Sequence, residues 1–150
     1  DLHVRDIIVA MGACTDSNFA DQFRLPGTFC PIADFGLVRA AVDECEKAGV
    51  HYMVGNIFSS DTFYNDEINL QDNFKSLNAY GKMGVLAVEM EAAGLYMTAA
   101  RSGKKALAIC TISDHLITGE STTSEERRVK LTQMIELALN TAINMEKNKK

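Results

Sequence analysis

A chain of 150 residues, 47% hydrophobic and 23% charged, has ordinary globular composition and enough length to close one sizeable core, so a single domain over residues 1–150 is expected. Its net charge of −5, with Lys and Arg scattered along the chain, leaves no basic stripe of the kind a phosphate backbone requires, which argues against nucleic-acid binding. The longest apolar stretches, such as Ala106 to Ile112, fall far short of the roughly 20 residues that cross a bilayer, and the opening Asp-Leu-His-Val-Arg-Asp has no secretory pattern, so a soluble, cytoplasmic protein without membrane association is expected.

The run Asp6 to Ala13 is continuously β-branched or apolar and reads as a strand buried on both faces. A central strand needs neighbours on either side, and this one comes almost at residue 1, so the fold is expected to be incomplete at its amino end. From Asp34, the residues Phe35, Leu37, Val38, Ala41, Val42, Cys45 and Ala48 recur at helical steps, with Asp34 as N-cap and Gly49 just past the end. Tyr52 to Phe58 alternates as a strand, and the polar segment Asn65 to Lys82 reads as a surface excursion with a helical turn around Phe74 and Leu77.

A second apolar run, Gly84 to Val88, leads through two carboxylates into the helix-forming run Glu91 to Ala100. Ala106 to Ile112 is the next strand and stops at Ser113-Asp114-His115. The last helix opens on a capping box, Thr123-Ser124-Glu125-Glu126, and its predicted core face is Leu131, Met134, Ile135, Ala138 and Ala142. This order of elements predicts an α/β fold with a mixed, mostly buried central sheet flanked by helices. Cys14, Cys30, Cys45 and Cys110 stand far apart and read as reduced packing residues, while His3, His51 and His115 lack the spacing of metal ligands, so no metal site is expected.

Ligands of α/β sheets gather at the carboxyl ends of strands, which directs attention to two places. Glu89 and Glu91 follow the Gly84 to Val88 run at the start of a helix; they can stay ionised and accept hydrogen bonds there, or simply favour the helix start. Asp114 follows the next strand and faces a loop with Thr118, Gly119, Glu120, Thr122 and Thr123; a pocket residue and a turn-forming Asp are equally good readings of it. His115 has no nucleophile context and reads as structural, and Arg127, a cation in a first helical turn, points to a partner carboxylate.

Val88-Glu89-Met90-Glu91-Ala92-Ala93-Gly94 resembles the ribose-binding signature of the nucleoside phosphorylase superfamily. Thr111 to His115, followed by Thr118 to Arg127, resembles more narrowly the bacterial hexameric purine branch. Arg5-Asp6, Met11 to Ser17, Ile32 to Phe35 and Gly55 to Asp61 extend the similarity over nearly the whole chain. The resemblance implies cleavage of a purine nucleoside by phosphate, with inorganic phosphate as co-substrate, no cofactor, and a homo-oligomer built as a trimer of dimers. It implies that Asp114 is the general acid toward the purine N7, with Arg127 swinging in to stabilise the carboxylate left behind. Ser113 would support the base, Glu91 would accept from the ribose hydroxyls, Met90 would pack behind the sugar, Phe63 would contact the base, and Val88 and Glu89 would line the pocket. The family's phosphate site lies upstream of the matched residues, and segment 65–82 is longer than in the bacterial enzymes. Uridine phosphorylases and methylthioadenosine nucleosidases share the Glu-Met-Glu core, and a non-catalytic fragment of the fold is the alternative from another class.

Overall fold

The computed structural model describes residues 2–63 and 78–147, the side chains of 128–130 excepted. Strand β1 (Ile7–Thr15) forms the middle of a four-stranded sheet with β2 (Tyr52–Ser59), β3 (Val88–Glu89) and β4 (Ala108–Thr111), in the order β3-β2-β1-β4. β1, β2 and β3 run parallel and β4 runs antiparallel to β1, so the sheet is mixed, as the order of elements predicts. Helix α1 (Phe35–Ala48) and helix α3 (Ser124–Lys147) cover one face and helix α2 (Ala92–Arg101) the other, with a short 3-10 helix at Phe19–Phe23.

The continuous apolar run of β1 serves both faces. Ile8, Ala10 and Ala13 pack with Ile57, Ala92, Ala93, Tyr96 and Met97, whereas Ile7 and Val9 pack with Ala41, Cys45 and Leu137. Between Ala10 and Gly12 the pairing with β2 slips by one residue, and Met11 turns out to 50% exposure. A Cβ on Gly12 would come 2.7 Å from Asn56 Oδ1 and 3.4 Å from the Pro31 carbonyl, so only glycine fits this approach without displacing its neighbours.

Strand boundaries are narrower than the apolar runs. The predicted strand Gly84 to Val88 contracts to Val88–Glu89, because Met83 and Gly84 close a turn onto Tyr80 and Gly81. Pairing with β2 begins one step earlier, through Leu86 N–H to the Asn56 carbonyl at 2.8 Å and Phe58 N–H to the Ala87 carbonyl at 2.9 Å. The predicted strand Ala106 to Ile112 is β4 with frayed ends, since the Ala106 carbonyl accepts from Asp34 N–H instead of a strand neighbour. Of the polar segment Asn65 to Lys82, 65–77 lies outside the described residues and 78–82 is a helical turn.

The helix ends follow the predicted chemistry. Asp34 accepts from Leu37 N–H at 3.0 Å, and Gly49 ends α1 with φ 64. In the capping box of α3, Glu126 accepts from Thr123 N–H at 3.0 Å and Thr123 Oγ1 accepts from Glu126 N–H at 3.2 Å. The inward face of α3 is a correction. Leu131 and Ile135 are 38% and 50% exposed and Ala142 is exposed, while Leu137 and Thr141 are buried, beside the half-buried Met134 and Ala138. Thr141 tolerates burial because its hydroxyl donates to the Leu137 carbonyl at 2.7 Å, and Asn144 below it reaches the buried carboxylate of Glu44 on α1. These polar anchors rotate the helix away from its most apolar side.

All four cysteines are unpaired. Cys45 is buried and Cys110 packs against the core on the α2 side, but Cys30 is exposed and is not a packing residue. Among the described residues, no helix is long and apolar enough to cross a membrane.

Candidate functional site

The carboxyl ends of β2 and β3 lie side by side, with Ser59 opposite Glu89, and the head of α2 sits directly above them. Glu89 is fully engaged there. Its Oε2 accepts from Glu91 N–H at 2.7 Å and Ala92 N–H at 2.8 Å, and its Oε1 accepts from the Ser59 hydroxyl. Ser59 Oγ in turn accepts from Ala93 N–H at 2.9 Å. Glu89 therefore does serve the helix start, the blander of its two readings. Glu91, at the N-cap position, is exposed, and its carboxylate makes no cap hydrogen bond. Val88 is half-buried and Met90 is 39% exposed beside it.

The Ser113 hydroxyl donates to Asp114 Oδ2 at 2.6 Å, so the second strand end also presents a paired hydroxyl and carboxylate. The loop behind them is folded back and fixed: Asp114 bridges Ser121, and Thr122 donates its N–H and its hydroxyl to the Ser113 carbonyl at 2.9 and 3.0 Å. His115 Nδ1 accepts the amides of Ile117 and Thr118 at 3.3 and 3.2 Å, which makes it a loop-shaping residue, as expected. Arg127 is exposed, and no hydrogen bond or ion pair joins it to Asp114. The carboxylate beside it, Glu126, is held instead by Arg5 at 2.6 Å.

Pairing alone sets these two strand ends apart, since Thr111 lies opposite Ile7 at one end of β1 while Glu89 lies opposite Ser59, the partner of Thr15, at the other. Helix α2 runs from the Ser59 end to the middle of β1, where the Tyr96 hydroxyl meets Ala10 and Ala108. The Cys110 thiol, four residues before Asp114, is pushed up to about 11 by burial and further by the Glu89 and Glu91 carboxylates, so both charges act on the strand that carries Asp114. Phe63 stands 56% exposed beyond the end of β2. The structure thus gathers Glu89, Glu91, Val88 and Met90 at one strand end and Ser113 with Asp114 at the other, and leaves Arg127 outside.

Sequence reasoning missed Ser59, which ends an alternating strand and could have been found by looking at that strand end as the other two were. It also missed Asp16, whose carboxylate receives Asp61 N–H at 2.9 Å and ties the loops after β1 and β2 together. A cavity of about 530 Å³ lies elsewhere, beside β4, lined among others by Leu37, Leu95, Ile109 and Thr141 and by none of the predicted site residues.

A family model described as the phosphorylase superfamily matches residues 1–144. The chain is 46% identical over 143 residues to a DeoD-type purine nucleoside phosphorylase of Mannheimia succiniciproducens, a match covering 95% of this chain and 58% of that protein. It is 48% identical over 144 residues to DeoD-type 1 purine nucleoside phosphorylase of Photobacterium profundum, covering 95% of this chain and 57% of the relative. A DeoD-type purine nucleoside phosphorylase of Xenorhabdus nematophila is 49% identical over 139 residues, covering 93% and 56%. The chain therefore spans a little more than half the length of these relatives. With a match that runs along nearly all of it, the chain belongs to the phosphorylase superfamily.

Proposed function

We propose that this protein takes part in the reversible phosphorolysis of purine ribo- and 2′-deoxyribonucleosides, giving free purine and the pentose 1-phosphate. The observation that carries the reading is the open carboxylate of Glu91 at the head of α2, together with the Ser113–Asp114 pair just past the end of β4. The similarity to DeoD-type purine nucleoside phosphorylases supports the same reaction.

In this reading, Glu91 accepts hydrogen bonds from the 2′- and 3′-hydroxyls of the sugar, Met90 and Val88 pack against it, and Phe63 covers the base. Asp114, protonated, gives its proton to N7 as the C1′–N9 bond breaks and the bonding pair leaves with the purine; a phosphate oxygen then bonds to C1′. Ser113 orients the Asp114 carboxyl. Arg127 acts only after its exposed side chain rotates toward Asp114, where it stabilises the carboxylate that remains. Phosphate is the co-substrate, no cofactor takes part, and no residue here is assigned to phosphate.

The setting we infer is cytoplasmic, in a homo-oligomer arranged as a trimer of dimers. The row Leu131, Ile135, Leu139 and Ile143, each 38% to 59% exposed along α3, supports an assembly, because an apolar row of this kind is ordinarily covered. The test is purine release from inosine and adenosine, with and without phosphate, by the protein and by Asp114→Asn. Phosphate-dependent release that the substitution abolishes is expected. Release at the same rate without phosphate would make the protein a nucleosidase, and undiminished release by Asp114→Asn would remove Asp114 as the acid.

A further inference from the structure

We infer that Ser59 and Glu89 are positioning residues that hold the head of α2 so that the Glu91 carboxylate stays open to a vicinal diol; the inference rests on the proposed nucleoside reading of this strand end. A side chain at the N-cap ordinarily accepts the amide of the second or third helical residue. Glu91 stands at that position and its carboxylate does not do so. The second amide, Ala93 N–H, is taken by Ser59 Oγ at 2.9 Å, and the first, Ala92 N–H, by Glu89 Oε2 at 2.8 Å. The same Glu89 oxygen holds Glu91 N–H at 2.7 Å, which fixes the backbone from which the Glu91 side chain projects.

The two residues interlock. Ser59 is 4% exposed, its proton goes to Glu89 Oε1, and its oxygen is thereby turned to accept from Ala93. Without that acceptor, Ala93 N–H is left open to a carboxylate of this strand end: Glu89, drawn off the Glu91 and Ala92 amides it now holds, or Glu91, folded onto its own helix where it cannot receive a sugar. A second consequence follows for selectivity. Amides at a helix head are a ready seat for phosphate, but here the Glu89 carboxylate and the Ser59 hydroxyl already occupy them, and a second carboxylate, Glu91, stands at the N-cap. The head of α2 is therefore matched to neutral hydroxyl donors and closed to the anionic co-substrate.

The test compares dissociation constants of inosine and 2′,3′-dideoxyinosine by calorimetry for the protein, Ser59→Ala, Glu89→Ala, Glu89→Gln and Glu91→Gln, with amide hydrogen exchange at Ala92, Ala93 and Leu95. A hydroxyl pair on a charged acceptor makes the ribonucleoside bind about 10- to 100-fold more tightly than the dideoxy compound. Ser59→Ala and Glu89→Ala are expected to erase that preference by weakening inosine alone, with faster exchange at Ala93 or Ala92 and unchanged exchange at Leu95. Glu89→Gln, which keeps an acceptor oxygen for the amides, is expected to restore most of the preference. Equal weakening of both ligands, or a full preference in Ser59→Ala despite rapid exchange at Ala93, would overturn the inference. A preference untouched by Glu91→Gln would instead overturn the assignment of the diol to Glu91, on which the inference stands.

Discussion

The hydroxyl of Tyr96 donates to the carbonyl of Ala10 at 2.5 Å and at the same time accepts the amide of Ala108 at 3.0 Å. Ala10 and Ala108 are register partners at the end of the β1–β4 ladder, so a side chain from α2 completes the pairing that the backbones leave open. Burial pushes the phenol up to about 12 although the Ala108 amide works the other way, so it remains a neutral donor. Tyr96→Phe strands a buried carbonyl and a partly buried amide, and a loss of about 1–3 kcal/mol is expected. Urea unfolding with a shifted midpoint and an unchanged slope checks it.

The two faces of α3 give a paired prediction. Leu137 is 4% exposed against β1 and α1, and Leu137→Ala is expected to cost about 2–5 kcal/mol. Ile135 is 50% exposed, and Ile135→Ala, at a dilution where the chain is monomeric, is expected to change stability by no more than about 0.5 kcal/mol. The reverse order in thermal melts would restore the helix face that hydrophobicity alone selects.

That helix face marks where the sequence was legible and where it was not. The continuous run of β1, the capping residues Asp34, Thr123 and Glu126, and the Gly49 stop each carry their meaning locally, and the structure agrees at every one. Thr141 and Asn144 do not, because their burial depends on acceptors at Leu137 and on a different helix at Glu44. The site divides in the same way. Glu89 and Glu91 were found from their place after a strand, but which of them serves the helix and which faces outward depends on Ser59, thirty residues earlier in the chain. The position of Arg127 in a first helical turn points to a partner carboxylate, yet the ion pair at this turn joins the neighbouring Glu126 to Arg5.

Glu126 makes a pH prediction. Hydrogen bonds from Thr123, then the Arg5 guanidinium, hold its carboxyl down at about 2, against 4.5 for an unperturbed Glu. A carboxyl lowered by folding stabilises the folded state above its unfolded value and loses that contribution as pH falls through the folded one. The loss therefore belongs between about pH 4.5 and 2, and it is small because the Arg5–Glu126 pair lies at the surface, where water and salt screen it. The thermal midpoint of Glu126→Gln is expected to fall less steeply than that of the parent chain across this window, and parallel profiles would assign the acid sensitivity to other groups.

The cysteines differ enough in setting to be told apart by labelling. Cys30 is exposed, whereas burial raises Cys45 and Cys110 to about 11 each, with Glu44 and Glu46 adding to the first and Glu89 and Glu91 to the second. A thiol reagent near pH 8 is expected to modify Cys30 first and to leave Cys45 and Cys110 untouched until the chain unfolds. Cys30→Ser should remove the fast phase; a fast phase that survives would place another thiol at the surface.

The order of the strands has a consequence for how the chain reaches its fold. β1 precedes its antiparallel neighbour β4 with α1, β2, β3 and α2 between them, so that Ile7 has to find Thr111 and Ala10 has to find Ala108. The first half of β1 thus lacks its β4 partner until everything up to β4 has been synthesised. Contacts of such long sequence separation close slowly, so the window in which this strand is exposed, and in which a chaperone would be most useful to it, is written into the topology.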